Sequence, residues 1–400
     1  MILRGVEIVG DDAGPREIAV SAPTIARIGD RLPGGARVAG PVLDFGTAIV
    51  FPGLINSHDH LEFNVYPALR HKQYADYLEW GDDIHRTDWK LISSLQRMPK
   101  RDRLRWGALK NLLCGVTTVA HHGARRDDLR SLPLGAVSAT SIHSIGGAPR
   151  WRWRLNSPFG RPPYVFHVAE GSSWQARREV DALTRWNLFR KPLVGVHAIA
   201  MTAEQAARFR AIVWCPVSNE FLYGATADIA ALKRSTTILF GTDSTLCADW
   251  DLWNHLRRAR ALRVLDDREL LAAVTRNAAK AWDRGDTGRI APGHTADLVV
   301  ARKKVGDPWD AFFAVTPEDV LLVLKDGKVI LCDGSVDMIR PRGHGSVIRL
   351  GSTEKWVAED VPDLLARMHH CGIESNLPIA AEPRSRCSGR RGADGSRRLE

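Results

Sequence analysis

The sequence has no long apolar run, no CxxC pair and little lysine, and each shortage removes a class of protein. No stretch approaches the roughly 18 apolar residues of a membrane-spanning helix. The opening residues, MILRGVEIVGDDAG, put Arg4 and Glu7 where a signal peptide needs unbroken apolar sequence. A cytoplasmic chain with no membrane partner is therefore expected. The six cysteines, Cys114, Cys215, Cys247, Cys332, Cys371 and Cys387, are scattered. That spacing argues against a disulfide framework or an all-cysteine zinc module, and for reduced thiols. His369, His370 and Cys371 stand together, but they follow the helical-looking run VPDLLARM and have no second cluster to complete a zinc site. Lysine numbers 12 against 44 arginines, and the net charge is +10. Charge of one sign points toward a polyanion, yet a GC-rich coding bias produces the same arginine excess. No helix-turn-helix, RNP or zinc-finger signature accompanies it, so no nucleic-acid partner is expected.

What is present is an ordinary globular composition, 44% hydrophobic and 26% charged over 400 residues. It excludes disordered, collagen-like and coiled-coil chains and leaves room for a catalytic domain of about 250 residues with a smaller companion. Residues 1–50 read as short strands broken by Gly and Pro, and similar strands return over 287–350, where KDGK suits a tight hairpin. A composite β-unit from both chain ends is expected. Residues 51–286 alternate strands with helices, the pattern of an α/β domain with parallel strands. Seven apolar runs qualify as strands: GLINS, GVTTVAHH, GAVSATSI, YVFHVAE, LVGVHAIA, AIVWCPVSN and TTILFGTDS. That is one short of a (β/α)8 barrel. The missing fourth strand is expected within GGAPRWRWRLNSPFGRPP, making that βα unit compressed or irregular. Residues 351–400 read as a helix and then a polar tail, with six Arg and one Asp over 384–398, expected to be disordered.

Five features fall at the C-terminal ends of these strands, the face where barrels of this kind place their active sites. His58 and His60, two apart on one strand, point to the same side and supply two of the nitrogens of a metal site. His167 is followed three residues later by Glu170, a ligand beside an acid/base group or a packed rim histidine beside a solvated acid. His197 lies in an apolar strand and reads alone as a core group. In CPVSNEF, Pro216 ends a strand, and Ser218 and Asn219 serve either turn chemistry or the orientation of neighbours. Asp243 closes GTDS as a ligand or a helix cap. Together they offer three imidazoles and a carboxylate, a donor set that suits Zn2+ and also Fe2+ or Mn2+.

In that order, with FPGLINSH before and GRIAPGHTADLVV after, the motifs resemble the amidohydrolase superfamily, in particular its deaminase and chlorohydrolase-like branch, over roughly residues 40–335. The resemblance implies a distorted, compact (β/α)8 TIM-like barrel with a small β-sandwich domain built from both chain ends. It implies one divalent metal ion, zinc foremost, held by His58, His60, His167 and Asp243, with no lysine at a fourth-strand position to bridge a second ion. Asp243 would take a proton from the metal-activated water, Glu170 would act as acid/base, and His197 would hydrogen-bond the attacking water or developing oxyanion. Ser218 and Asn219 would orient the Asp243 strand end. The implied activity is hydrolysis of a non-peptide C–N bond, foremost deamination of a heterocyclic or amidine-like carbon in a small-molecule substrate. Cyclic-amide hydrolysis, dechlorination with the same site and an inactive barrel used for binding are the alternatives. A homodimer is compatible with the resemblance.

Departures are visible too. Trp214 precedes Cys215 where many relatives carry a histidine, and the interval from His58 to Asp243 is short for this branch. His121 and His122 follow the second strand, as rim groups or within reach of metal or substrate. Phe63, Trp151, Trp153 and Trp174 are candidates to sandwich a planar ring. Arg150, Arg152 and Arg154 could grip a substrate carboxylate or simply be solvated.

Overall fold

The computed structural model describes residues 1–32, 40–123 and 129–381, so the arginine-rich tail and Cys387 lie outside the described residues. Strands β1 (Ile2–Ile8), β2 (Pro15–Ser21), β3 (Thr24–Gly29) and β4 (Val42–Pro52) come first. Eight strands of the central region follow: β5 (Leu54–Asp59), β6 (Val116–His121), β7 (Gly135–Ala136), β8 (Thr140–Ser144), β9 (Tyr164–Val168), β10 (Leu193–His197), β11 (Ala211–Trp214) and β12 (Thr237–Phe240). The last are β13 (Leu298–Arg302), β14 (Val320–Lys325), β15 (Lys328–Asp333), β16 (Ser346–Leu350), β17 (Thr353–Val357) and β18 (Ile379–Ala380).

The central strands pair in parallel in two ladders, β5-β6-β7 and β8-β9-β10-β11-β12. Beyond β12 the chain turns back onto β5, where the Thr242 and Asp243 N–H groups donate to the His58 carbonyl at 3.2 and 3.0 Å. The result is a TIM-barrel-like α/β fold. Ile55, Val165, Val194, Val196, Val213 and Leu239 fill its interior, a run of β-branched and small side chains that suits the crowded axis.

The eighth strand is not where the sequence places it. Residues 137–139 divide GAVSATSI into β7, which pairs with β6, and β8, which pairs with β9, with no helix between them. Residues 151–156, whose alternating WRWRL reads as a strand, form a helix. Trp151 and Leu155 are its buried pair, and their spacing of four places both on one helical face. The compressed unit is thus the third, and two strands had merged in one apolar run.

Strands from both chain ends share one ten-stranded sheet, ordered β18-β16-β17-β15-β14-β13-β4-β1-β2-β3. Period-two burial explains its position. Ile49, Phe51, Val299 and Ala301 face the large core shared with the barrel, while Ala48, Val50, Leu298 and Val300 face a second core with Leu3, Ile18 and Trp356. The KDGK hairpin forms between β14 and β15, with Asp326 and Gly327 at φ of 51° and 70°. The sheet continues past residue 350 through β17 and β18, and the helix Val361–His370 buries Val361, Leu364 and Met368. Asn376 beyond it accepts a hydrogen bond from Trp106 Nε1 at 2.9 Å.

Candidate active site

His58 lies in β5 and His60 just beyond it, His167 in β9, His197 at the end of β10 and Asp243 three residues past β12, so the ends of four strands deliver them to one mouth. His197 and Asp243 have left-handed backbones, φ 70° and 58°. Non-glycine residues adopt this region at a cost of about 1 kcal/mol or more, and it recurs where side chains must be re-aimed at a site. Gly241 lets β12 pass close to β5: a Cβ there would meet His58 Cβ at 2.7 Å.

The Nε2 atoms of His58 and His60 each lie 3.2 Å from His167 Nε2. Asp243 Oδ1 lies 3.8 Å from His58 Nε2. Such nitrogen separations are close to the edge, about 3.3 Å, of a tetrahedron whose corners lie about 2.0 Å from its centre. Burial, followed by the neighbouring imidazoles, pushes His58 and His167 well below the usual histidine range. Their lone pairs are therefore free, and these residues fit a divalent ion. His167 Nδ1 bonds the His143 carbonyl at 2.8 Å, which sets the tautomer that presents Nε2 to the cluster.

His197 stands beside this set, its Nε2 3.6 Å from Glu170 Oε1 and 3.8 Å from Asp243 Oδ2. Its Nδ1 is paired with Asn219 Oδ1 at 2.8 Å. Asn219 therefore orients His197 and not the Asp243 strand end, while the Ser218 hydroxyl donates locally to the Cys215 carbonyl. Burial raises the Glu170 carboxyl above its ordinary range, opposed by His197 and by the Tyr223 hydroxyl, which donates to Oε1 at 2.7 Å. Burial also pushes Asp243 upward, but His60, His197, Cys247 and the Ser244 N–H more than offset it and hold the carboxyl below its usual range.

A cavity of about 370 Å³ opens over the cluster, walled by Phe63, Tyr66, Tyr77, Trp80, Ile84 and Leu246. Phe63 stacks on His60 with ring centroids 5.4 Å apart. Of the other aromatic candidates, Trp151 is buried in the core and Trp153 and Trp174 are 70% and 61% exposed, and none lines the cavity. The Arg150–Arg154 segment is not at the mouth either. Arg152 lies over the Trp151 and Trp186 rings, and Arg154 donates to the Ser141 carbonyl. His121 accepts from the Leu61 N–H and faces Glu62, away from the cavity. His122 is buried with its ring 4.3 Å from that of His167. A larger open groove near Arg260 and Phe313 lies away from these residues, and its Arg260 and Lys233 are already paired with Asp267, Asp310 and Glu269.

Tyr77 donates to Glu179 Oε1 at 2.8 Å, and burial carries the Glu179 carboxyl up to about 7. A carboxyl raised on folding binds more protons folded than unfolded, so its ionisation weakens the fold as pH rises from about 4.5 through 7. Glu179→Gln is expected to stabilise the protein at pH 8 by up to about 3 kcal/mol and to change little at pH 4. Thermal unfolding of both proteins at the two pH values checks this, and equal shifts at both would contradict it.

The sequence profile of the Amidohydrolase family matches residues 167–330. The match supports the amidohydrolase resemblance over these residues. Among curated relatives, this chain is 24% identical to a 5-methylthioadenosine/S-adenosylhomocysteine deaminase of Desulfitobacterium hafniense, over 72% of this chain and 82% of that one. A 5′-deoxyadenosine deaminase of Methanothermobacter thermautotrophicus is 28% identical over 32% of this chain and 34% of its own. Among solved structures, an adenosine deaminase from Xanthomonas campestris with bound zinc superposes with a TM-score of 0.67 at 19% identity, covering 93% of this chain and 97% of that one. A variant of atrazine chlorohydrolase from Arthrobacter aurescens complexed with zinc and atraton gives 0.63 at 19%, covering 82% and 94%. These structures share the fold. Among the described residues, no helix is long and apolar enough to cross a membrane.

Sequence reasoning missed Tyr223, the cavity aromatics Tyr66, Tyr77 and Trp80, and a buried lysine described below. Only Asp59, lodged between the two histidines of the HDH motif, carried a local signal.

Proposed function

We propose that this chain is an amidohydrolase that hydrolyses a non-peptide C–N bond, releasing ammonia from an uncharged planar heterocycle. The observation that carries the reading is the convergence of His58, His60, His167 and Asp243, with His197 3.8 Å from Asp243 and 3.6 Å from Glu170, beneath an aromatic-walled cavity. A divalent ion held by those three histidines and Asp243, zinc in our reading, with Fe2+ and Mn2+ suited to the same donors, would make water acidic enough to ionise near neutral pH. Asp243 then accepts a proton from water as its oxygen bonds to the substrate carbon. His197, its ring fixed by Nδ1–H donating to Asn219 Oδ1, accepts at Nε2 from the attacking water and orients it. Glu170, its carboxyl raised by burial, gives a proton to the leaving nitrogen and recovers one from Asp243 as the C–N bond breaks. Water and substrate become ammonia and the oxo compound. In this reading the barrel, residues 51–286, rides on a composite β-unit of both chain ends, a small sandwich. The unbridged Cys114, Cys215, Cys247, Cys332 and Cys371 support a cytoplasmic setting.

The cavity wall sets the charge of the substrate. Among the described residues it carries the acidic Asp82 and Asp243 but no lysine or arginine. Anions are disfavoured there by unpaired desolvation and like charge. An ammonia-release screen of zinc-loaded protein against amino-purines, their nucleosides, amino-pyrimidines and amino-triazines is expected to find a neutral substrate. Its phosphorylated counterpart should be poorer by about tenfold or more in kcat/KM. Release from none of these classes, or preference for the phosphorylated form, would overturn the reading.

A further inference from the structure

Beneath the cluster lies a buried polar network that the reaction above leaves unused. Lys110, on the helix Lys100–Leu113, has a side chain 1% exposed. Its Nζ reaches Asn64 Oδ1 at 2.9 Å, Asp59 Oδ2 at 3.0 Å, the Asp243 carbonyl at 3.1 Å and Thr242 Oγ1 at 3.3 Å. Asp59, fully buried, also accepts from Asn111 Nδ2 at 2.7 Å and Asn64 Nδ2 at 2.8 Å. Asn56 bridges the two halves, donating to Thr242 Oγ1 at 2.8 Å and accepting from the Thr242 N–H at 3.2 Å.

A buried ion pair of this kind adds little stability over a well-packed apolar pair, because desolvation consumes the Coulomb gain. What it does provide here is connection. One end holds Asp59, between His58 and His60. The other holds the carbonyl of Asp243, whose left-handed backbone, φ 58°, has to be supported by something. The ammonium therefore ties together the two strand ends, from opposite extremes of the barrel sequence, that bring three of the four proposed metal donors.

We propose that Lys110, paired with Asp59, is a positioning residue that fixes the Asp243 carboxylate against the His58–His60 pair and thereby governs how firmly the ion is held and how well Asp243 is placed to take a proton. This rests on the metal-binding reading of those four residues, and the test separates the two: failure of the wild-type chain to retain zinc sinks that reading, whereas the proposal is judged by comparing variants with a zinc-retaining wild type.

The experiment uses full-length zinc-loaded protein and the variants Lys110→Met and Asp59→Asn/Lys110→Met. It follows thermal unfolding, chelator-driven zinc release, and kcat and KM on a substrate from the screen. Lys110→Met leaves Asp59 buried without its partner and is expected to lower Tm. The double variant removes both charges and should recover most of that loss, yet release zinc about 10- to 100-fold faster. It should also lose kcat by a similar factor while KM changes less than about threefold. A double variant that regains wild-type Tm together with wild-type zinc release would show that Lys110 only fills space, and would overturn the proposal. Should the double variant fail to fold, Thr242→Val decides, since it keeps the ion pair and removes one link between Lys110 and the Asp243 strand end. Faster zinc release at near-unchanged Tm supports the proposal, and unchanged release overturns it.

Discussion

Replacing Glu170 by Gln is expected to reduce kcat by 10²- to 10⁴-fold, the range over which a positioned proton-transfer group acts, while leaving the metal content of the protein unchanged. The two results separate because Glu170 lies beside His197 and Tyr223 and outside the set of four proposed donors. Glutamine keeps the shape and can still pair with the Tyr223 hydroxyl, but it cannot give a proton to the leaving nitrogen. Stability provides an independent check. Burial raises the Glu170 carboxyl, so its ionisation is a cost to the fold above the unfolded value, and the cost is absent well below it. The glutamine variant should therefore be no less stable than the parent at pH 8. A variant that keeps its turnover would remove Glu170 from the chemistry. One that loses metal along with turnover would make it a ligand.

Removing the ion is expected to abolish turnover altogether and to lower Tm, with both restored by added zinc. His58 Nε2 and His60 Nε2 each lie 3.2 Å from His167 Nε2, a gathering of buried ring nitrogens that a shared ion would hold together. Binding to the folded chain alone stabilises it by about 4 kcal/mol when the free ion is at a thousand times its Kd. His167→Ala should mimic the stripped protein by removing the nitrogen common to both short separations. Elemental analysis beside unfolding curves reads out both. Full activity in a chain holding less than about a tenth of an ion would contradict a metal-dependent reaction.

The composite sheet shows how far sequence pattern reaches. The unbroken apolar runs in IVFP and LVVAR mark β4 and β13 as strands, and their pairing across the length of the chain follows once both ends read alike. Alternation failed at WRWRL, where only Trp151 and Leu155 are buried and the local choice between strand and helix turned on packing. It failed again at GAVSATSI, because the three-residue break between β7 and β8 leaves the apolar pattern almost intact.

Local sequence determined the kinds of donor, their order and their place at strand ends, because side-chain direction along a strand is a property of the backbone. The HDH and GTDS segments therefore carried their chemistry openly. Only the tertiary structure decided which groups meet. It set Lys110 under the strand ends bearing His58, His60 and Asp243, turned Asn219 to His197 and left the arginine-rich helix at residues 150–154 outside the cavity. These are contacts between segments far apart in the chain, and a burial pattern with a period of two or four residues contains no information about its distant partner.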